Sequence, residues 1–199
     1  MKTLLITGGA GFIGTNTVDY FASAGWKVIV LDNLSRKGSE DNLSWLKKSK
    51  KYSFDFLQLD ICDKDHVNNV FIDYNIDALI HLAGQVAVTS SVSDPRNDFS
   101  ININGTFNLL EAVRKFSPKT IFINASTNKV YGELDYLEIS ESEERYDFNS
   151  NIIGIDEDTS LDFHSPYGCS KGSADQYGLD YARIYNLNTT SFRQSCIYG

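Results

Sequence analysis

Residues 2–14 read KTLLITGGAGFIG, a buried-strand pattern that runs directly into glycines at positions 8, 11 and 14. This spacing allows a tight turn, the close approach of a pyrophosphate to a helix N-terminus, and close packing of that helix on the sheet. Because the glycines lie between a predicted strand and a predicted helix, they are more informative than the spacing alone. We expect the backbone here to bind a dinucleotide through Gly8, Gly11, Phe12, Ile13 and Gly14.

Strand and helix patterns alternate along the rest of the chain, with no internal repeat and no linker. Helix starts are recognisable, as at Ser165 and Pro166, which are typical of an N-cap and a first helical position. Six strands joined by right-handed helical crossovers predict an α/β fold, a doubly wound parallel sheet of the Rossmann type. The predicted strands are 2–7, 26–31, 52–59, 77–82, 120–125 and 189–197, and the predicted helices are 11–24, 41–50, 64–74, 95–116 and one from 166 onward.

The charge pattern excludes several classes of protein. Acidic residues outnumber basic ones by 26 to 18, and residues 133–162 alone hold eleven acids and one base. We expect this acidic stretch to be a solvated loop, with a lid or an insertion that faces a neighbouring subunit as the functional alternative. Without a basic stripe we expect no nucleic-acid partner, and without an apolar run of ~20 residues or a signal peptide we expect a cytoplasmic protein and no membrane partner. The scattered histidines and cysteines predict reduced thiols and no metal site.

An acidic residue follows the second predicted strand. Asp32 lies eighteen residues beyond Gly14, where a carboxylate accepts hydrogen bonds from the adenosine ribose and repels a 2′-phosphate. The expected cofactor is therefore NAD and not NADP. Arg36 and Lys37 weaken this preference, because they could hold a phosphate, although a solvated loop explains them as well.

Two further strand ends are candidates by position alone. Asp60 and Ile61 end the third predicted strand, where an adenine ring would lie. The fourth ends in Leu82, Ala83 and Gly84, whose small size would let the chain pass the nicotinamide ribose. Acids and glycines at strand ends are also common without any function.

Tyr167 and Lys171 are four residues apart and therefore share a helix face. An ammonium beside a phenol favours the phenolate and lowers its pKa from ~10 toward the working pH. Such a pair can exchange a proton with a sugar hydroxyl while hydride moves to or from a nicotinamide. Ser126 and Thr127, after the fifth strand, could donate to the oxygen that becomes a carbonyl, or could cap the loop backbone.

Five motifs resemble, in order, those of the extended short-chain dehydrogenase/reductase family: residues 7–14, 32–35, 81–84, 102–106 and 167–171. The resemblance covers the whole chain. It implies that Tyr167 is the acid/base, that Lys171 is its partner and a ribose ligand, and that Thr127 orients the carbonyl. It also implies cofactor contacts at Asn33, Gln85, Asn102 and Ser126. Within the family, residues 32–38, 81–87, 126–132 and 161–167 are most similar to epimerases of CDP-linked deoxysugars, which implies such a substrate.

The nearest alternative chemistry is nucleotide-sugar 4,6-dehydration. Related dehydratases place an Asp-Glu pair directly after the threonine, whereas this chain has Asn128 and Lys129, so elimination lacks its acid and base. Epimerisation needs only one hydride site used twice. Another extended dehydrogenase, or a NAD-binding module without turnover, is a further alternative. In the family a substrate lobe follows the sixth strand, so we expect residues 1–199 to be the NAD-binding domain without that C-terminal domain.

The same resemblance implies a homo-oligomer, because in this family two long helices pair across a dimer interface. The candidate contacts are Ile101, Leu109, Val113 and Phe116 on one helix and Gly172, Ser173 and Ala174 on the other. Their periodicity equally allows both faces to pack on the sheet.

Overall fold

The computed structural model describes residues 1–49, 52–149 and 152–198. The last residue of the predicted helix 41–50, residues 150 and 151 of the acidic loop, and residue 199 lie outside these ranges. The strands are β1 Thr3–Thr7, β2 Lys27–Leu31, β3 Asp55–Leu57, β4 Ala78–His81, β5 Ile121–Thr127, β6 Ile139–Glu141, β7 Tyr146–Phe148 and β8 Asn188–Gln194. The helices are α1 Phe12–Ser23, α2 Ser39–Lys48, α3 Lys64–Asp73, α4 Val88–Ser93, α5 Pro95–Phe99, α6 Thr106–Phe116 and α7 Pro166–Tyr185.

Six strands form one parallel sheet in the order β3-β2-β1-β4-β5-β8. The predicted doubly wound sheet is confirmed. Strand order reverses between β1 and β4, because β1 pairs with β2 on one side and with β4 on the other. In such sheets a crevice opens at the carboxyl ends of the strands where the order reverses, which is where ligands bind.

Alternate residues of the central strands point to opposite faces, and each face has its own core. On one face, Leu5 of β1 packs with residues of α3 and α6, including Val67 and Leu109. On the other face, Leu4 and Ile6 pack with Val18 of α1 and with α2. Helices therefore cover both faces, which explains why the inner strands read as nearly continuous apolar runs.

The long helix predicted from residue 95 is present, but it changes geometry part-way. Helix α5 runs into a π-helical segment, Ser100–Gly105, and then into α6. A π-helical segment inserts an extra residue into the helix and is frequently found at functional sites. It places Asn102, which is 2% exposed, in the interior between α5 and α7.

Three local predictions were wrong or incomplete. The third strand is only Asp55–Leu57, at the edge of the sheet, where it pairs with β2 alone. Helix α4 was not predicted, because its sequence VTSSVS is rich in poor helix formers. Buried Ser91 holds it, donating to the Val88 carbonyl at 2.7 Å and accepting from the Tyr167 amide at 3.1 Å. The acidic loop also contains an antiparallel hairpin of β6 and β7.

The residues proposed for a dimer interface mostly face inward. Leu109 and Val113 are fully buried in the core beside the sheet, and Ala174 is 1% exposed. A Cβ on Gly172 would overlap the ring of Phe163 from the same chain. The periodic stripe is therefore the core-facing stripe, which corrects its assignment to an intersubunit face.

Two properties concern the molecule as a whole. Among the described residues, no helix combines the length and apolar character needed to cross a bilayer. The cysteines at 62, 169 and 196 are unpaired thiols, as predicted.

Candidate active site

A cavity of about 590 Å³ opens at the carboxyl ends of the central strands. This volume lies within the usual range of small-molecule and cofactor sites. Sixteen of the eighteen predicted site residues line it. They are Gly8, Gly11, Phe12, Ile13, Gly14, Asp32, Asn33, Asp60, Ile61, Leu82, Ala83, Gly84, Ser126, Thr127, Tyr167 and Lys171.

The three spaced glycines of the first loop, at positions 8, 11 and 14, are each favoured for a different steric reason. Gly8 has φ +67°, and a Cβ there would lie 2.6 Å from the amide nitrogen of Ala83. A Cβ on Gly14 would overlap the carbonyl oxygen of Gly8, so α1 could not approach the loop. At Gly11, a Cβ would meet only the Gly8 carbonyl, at 3.1 Å. Gly8 and Gly14 thus serve the fold, while Gly11 keeps the start of α1 open to the cavity.

The Asp32 carboxylate is hydrogen-bonded to the glycine loop, which was predicted to bind the same cofactor. Its Oδ2 accepts a hydrogen bond from the Ala10 amide at 3.0 Å, and its Oδ1 accepts one from the Leu34 amide at 2.8 Å. A carboxylate has about four acceptor sites, so both oxygens can accept further bonds from a ligand. Arg36 and Lys37 line the same cavity. The two cationic residues that could hold a 2′-phosphate are therefore in the same site as Asp32.

Asp60 and Asn33 join the ends of two neighbouring strands. Asn33 Nδ2 donates to Asp60 Oδ2 at 2.9 Å, and the Cys62 amide donates to Asp60 Oδ1 at 2.8 Å. Burial raises the pKa of Asp60, but the hydrogen bonds from Cys62 and Asn33 outweigh it, and the net pKa is lowered. Asp60 is therefore a structural carboxylate at the cavity wall.

The predicted Tyr167 and Lys171 pair lies on one face of α7, and both residues are 8% exposed. Lys171 Nζ donates to the Ala125 carbonyl of β5. Burial lowers the pKa of Lys171 to about 8, while Asp175 and Asp98 raise it. The ammonium is therefore still mostly protonated at pH 7.

The pKa of Tyr167 is raised, contrary to the expectation that the neighbouring Lys171 lowers it. Burial raises that pKa, the Thr127 hydroxyl lowers it, and Asp98 and Cys196 raise it. The physical reason is that Tyr167 is mostly enclosed in protein, which disfavours a phenolate.

The two hydroxyls at the end of β5, on Ser126 and Thr127, differ in their partners. Thr127 Oγ1 accepts a hydrogen bond from the Lys129 amide at 3.2 Å and so caps the 3₁₀ turn Asn128–Tyr131. Ser126 Oγ is buried and has no hydrogen-bond partner within the described structure, although it lines the cavity. A buried hydroxyl without a partner is unusual, so Ser126 is suited to bond a ligand.

Gln85 and Asn102 are not among the residues that line the cavity, and their contact with the cofactor stays a prediction. Asn102 Oδ1 accepts from the Gln85 amide at 2.9 Å, and Asn102 Nδ2 donates to the Gln85 carbonyl at 3.1 Å. Their polar groups are turned toward each other, because the π-helical segment carries Asn102 into the interior. They hold the loop that follows Gly84.

A polarised hydrogen-bond chain lies directly behind this loop. Thr106 Oγ1 donates to the Asn102 carbonyl at 2.7 Å, so it accepts from His81 Nε2 at 2.9 Å. His81 Nδ1 then accepts from Thr7 Oγ1 at 2.7 Å. Burial, together with the charge of Lys171, lowers the pKa of His81 to about 3. The ring is therefore neutral and links β1, β4 and the long helix.

The cavity also contains residues that were not predicted as ligands. Asn128 and Lys129 line it beside Thr127, and Val86 and Val88 line it at the start of α4. The last residue of β8, Gln194, and the three that follow it, Ser195 to Ile197, complete the wall. Their position at strand ends was a usable signal, because parallel strands end at one edge of the sheet. Within residues 1–49, 52–149 and 152–198, no group of three or more His, Cys, Asp or Glu could hold a metal.

Comparison with known proteins identifies the family. The sequence model of the family described as GDP-mannose 4,6 dehydratase matches residues 5–199. The chain belongs to that family. The resemblance to extended short-chain dehydrogenases and reductases is thereby confirmed, since relatives of the chain in this group are epimerases and dehydratases.

Individual members of the GDP-mannose 4,6 dehydratase group carry different activities. The chain is 54% identical over 196 residues to CDP-paratose 2-epimerase of Salmonella typhi, covering 98% of the chain and 57% of that relative. It is 34% identical to dTDP-glucose 4,6-dehydratase of Salmonella typhimurium, covering 98% of the chain and 55% of the relative. The chain thus spans about half the length of these relatives.

A solved structure from the same group has the same fold. The UDP-glucose 4-epimerase of Thermus thermophilus, in complex with NAD, superimposes with a TM-score of 0.77 at 33% identity. The match covers 96% of this chain and 54% of that structure.

Proposed function

We propose that this chain is the NAD-binding part of a nucleotide-sugar epimerase that inverts a carbinol by transient oxidation and re-reduction. The observation that carries the proposal is the convergence of Thr127, Tyr167 and Lys171 on the cavity that also contains the glycine loop and Asp32. The 54% identity to CDP-paratose 2-epimerase supports the same activity. The substrate class we propose is a CDP-linked deoxysugar with the reacting carbon at C2, as the name of that relative indicates.

The residues fit a dinucleotide. Gly11 lines the cavity at the start of α1, and Ser126 Oγ is a buried hydroxyl that lacks a protein partner among the described residues. The start of α1 offers unpaired amides to a pyrophosphate. Asp32 would accept the ribose hydroxyls and would repel a 2′-phosphate, so we propose NAD over NADP. A solved epimerase of the same fold is a NAD complex, which supports the assignment.

The reaction needs a proton path that this chain can supply. When bound, NAD provides a hydride acceptor and then a donor at the sugar carbon. Tyr167 takes the proton of the sugar hydroxyl and later returns it. To accept that proton Tyr167 must be a phenolate, and Lys171, protonated at pH 7, stabilises the negative charge that Tyr167 carries before it takes the proton and after it returns it. Thr127 donates a hydrogen bond to the oxygen that becomes the carbonyl.

Dehydration is the second candidate, because a dehydratase is among the relatives. Its elimination step needs an additional acid and base near the sugar. The cavity has Asn128 and Lys129 directly after Thr127, and neither an amide nor an ammonium serves those roles well. We therefore favour epimerisation over dehydration. A NAD-binding module without turnover is the remaining alternative.

We also propose a homodimer through the long helices α6 and α7. Its interface would be an exposed aromatic face, and not the stripe with Leu109 and Val113 that was considered from the sequence. Large side chains of α6 and α7 are partly exposed together, with Phe107 at 38%, Tyr177 at 44% and Tyr185 at 47%. The rings of Phe107 and Tyr177 pack edge to face at a centroid distance of 5.5 Å. Exposed aromatic clusters of this kind are typical of protein interfaces.

The experiment uses the whole protein that carries this chain. CDP-paratose is added to the purified protein, and the stereochemistry of the product sugar is followed together with absorbance at 340 nm. We expect an inverted sugar and no lasting NADH. In a parallel incubation with dTDP-glucose, the sugar nucleotide in the name of the dehydratase relative, a 4-keto-6-deoxy product would favour the dehydratase. Retained NAD with no product from either sugar nucleotide would favour the module.

A further inference from the structure

Four ionisable side chains are buried around the inner end of α7. Asp98 and Asp175 are each 1% exposed, Lys171 is 8% exposed, and the Arg193 side chain is 13% exposed. Arg193 and Asp175 neutralise each other through two hydrogen bonds, Nε to Oδ2 at 3.1 Å and Nη2 to Oδ1 at 3.0 Å. The remaining two, Lys171 and Asp98, have opposite charges, and the described residues give neither one an ion pair.

The side chain of Asp98 is a carboxylate, although the amide of an asparagine could accept the same two hydrogen bonds. Its Oδ1 accepts from Gln85 Nε2 at 2.8 Å and from Asn102 Nδ2 at 3.2 Å. Its Oδ2 is buried and has no partner in the described structure. An unpaired buried charged oxygen is unfavourable, and an asparagine oxygen could accept both bonds. The negative charge therefore needs a separate reason.

The hydrogen bonds of Asp98 lead to the catalytic turn. Asn102 Nδ2 also donates to Ser170 Oγ at 3.0 Å, and Ser170 Oγ donates to the Tyr167 carbonyl at 3.1 Å. Gln85, the other donor to Asp98, follows the cavity residue Gly84. One carboxylate thus connects the loop after β4 with the first turn of α7.

We propose that Asp98 is a positioning residue for Tyr167 and Lys171, and that its charge is the counter-charge that makes the buried ammonium of Lys171 tolerable. The structural part stands on burial and geometry, because a Cβ added to Gly84 would lie 3.8 Å from Lys171 Nζ and 3.0 Å from Oδ1 of Asn102, the residue that donates to Asp98. Its consequence for catalysis rests on the proposed function. Asp98 does not touch the cavity, so it acts through the two residues that do.

The other groups that face Lys171 do not replace Asp98. Asp175 raises the pKa of Lys171 more than Asp98 does, but its two carboxylate oxygens are already bonded to Arg193. His81 is neutral, because burial and the nearby Lys171 lower its pKa to about 3. Tyr167 is a neutral phenol near pH 7, because burial raises its pKa and Asp98 raises it further.

The first test is a double-mutant cycle on urea unfolding of this chain at pH 7. In the wild-type background, Asp98→Asn should lower the unfolding midpoint, because Lys171 loses its counter-charge. In the Lys171→Met background, the same change should raise the midpoint, because it then removes an unpaired carboxylate. An equal effect in both backgrounds would overturn the proposal. If Asp98→Asn alone does not fold, the double variant must fold, and its failure would also overturn it.

The second test measures Lys171 directly by NMR titration of its labelled ε-carbon, assigned with Lys171→Met. Asp98→Asn should lower the titration midpoint by about 0.5 pH unit or more. Asp73→Asn removes the same charge from the exposed end of α3 and should leave the midpoint unchanged. An unchanged midpoint in Asp98→Asn would contradict the charge role. Neither test measures enzymatic turnover. The role of the Asp98 charge can therefore be confirmed or rejected even if the epimerase assay fails.

Discussion

Replacing Lys171 by methionine should stabilise the chain at neutral pH, although we propose that the lysine takes part in the reaction. Burial lowers the pKa of Lys171 from 10.5 to about 8. One pKa unit corresponds to about 1.4 kcal/mol, so burying the ammonium costs about 3 kcal/mol at pH 7. Methionine keeps most of the aliphatic stem and removes the charge. It leaves the Ala125 carbonyl without its donor, which costs about 1 kcal/mol at every pH.

The sign of the pH dependence follows from proton counting. Between pH 8 and 10.5 the unfolded state holds a proton on Lys171 that the folded state has lost. The free energy of unfolding of the wild type therefore rises with pH through this window. From pH 7 to pH 9.5 the gain is about 2 kcal/mol, and Lys171→Met lacks it.

The assay is urea unfolding of the wild type and Lys171→Met at both pH values. The advantage of the variant should shrink by about 2 kcal/mol at the higher pH. Tyrosines that titrate near pH 10 contribute equally to both proteins and cancel in the difference. Lys119→Met, at an exposed position, is the matched control and should show no pH-dependent difference. A Lys171→Met difference that does not change with pH would refute the buried ammonium.

Three further predictions concern the cofactor, the reaction and the assembly. Asp32→Ala should weaken NAD and relax the rejection of NADP; calorimetry showing that the wild type binds NADP at least as tightly as NAD would reject the assignment. Tyr167→Phe should retain NAD but slow epimerisation by ~10²-fold or more, and Thr127→Val should slow it less; near wild-type rates in Tyr167→Phe would exclude it as the acid/base. Sedimentation at micromolar concentration should show dimers that Tyr177→Asp weakens, whereas a monomeric wild type would count against the helix interface.

The parallel sheet and the predicted cofactor-binding residues could be found from the sequence, because short stretches of sequence indicate them without any knowledge of tertiary contacts. The glycine loop, Asp32 and the strand-end residues Leu82 to Gly84 follow directly from strand position, and parallel strands end at one edge. The Tyr167 and Lys171 pair was found for the same kind of reason, since residues four apart share a helix face.

The features that were missed depend on tertiary contacts. Helix α4 has a sequence that disfavours a helix and is held by Ser91 against Tyr167. The π-helical segment places Asn102 in the interior, and periodicity does not reveal an inserted residue. The pKa of Tyr167 was predicted to fall because the argument counted one neighbouring charge and could not count burial.

The most direct test of the proposed hydride mechanism is epimerisation in D₂O. The whole protein is incubated with CDP-paratose, and the product sugar is examined by mass spectrometry and NMR. Because the hydrogen leaves the carbon as hydride and returns as hydride, we predict an inverted C2 without solvent deuterium. Deuterium at the inverted carbon would contradict the proposal, since it would show that the hydrogen leaves as a proton.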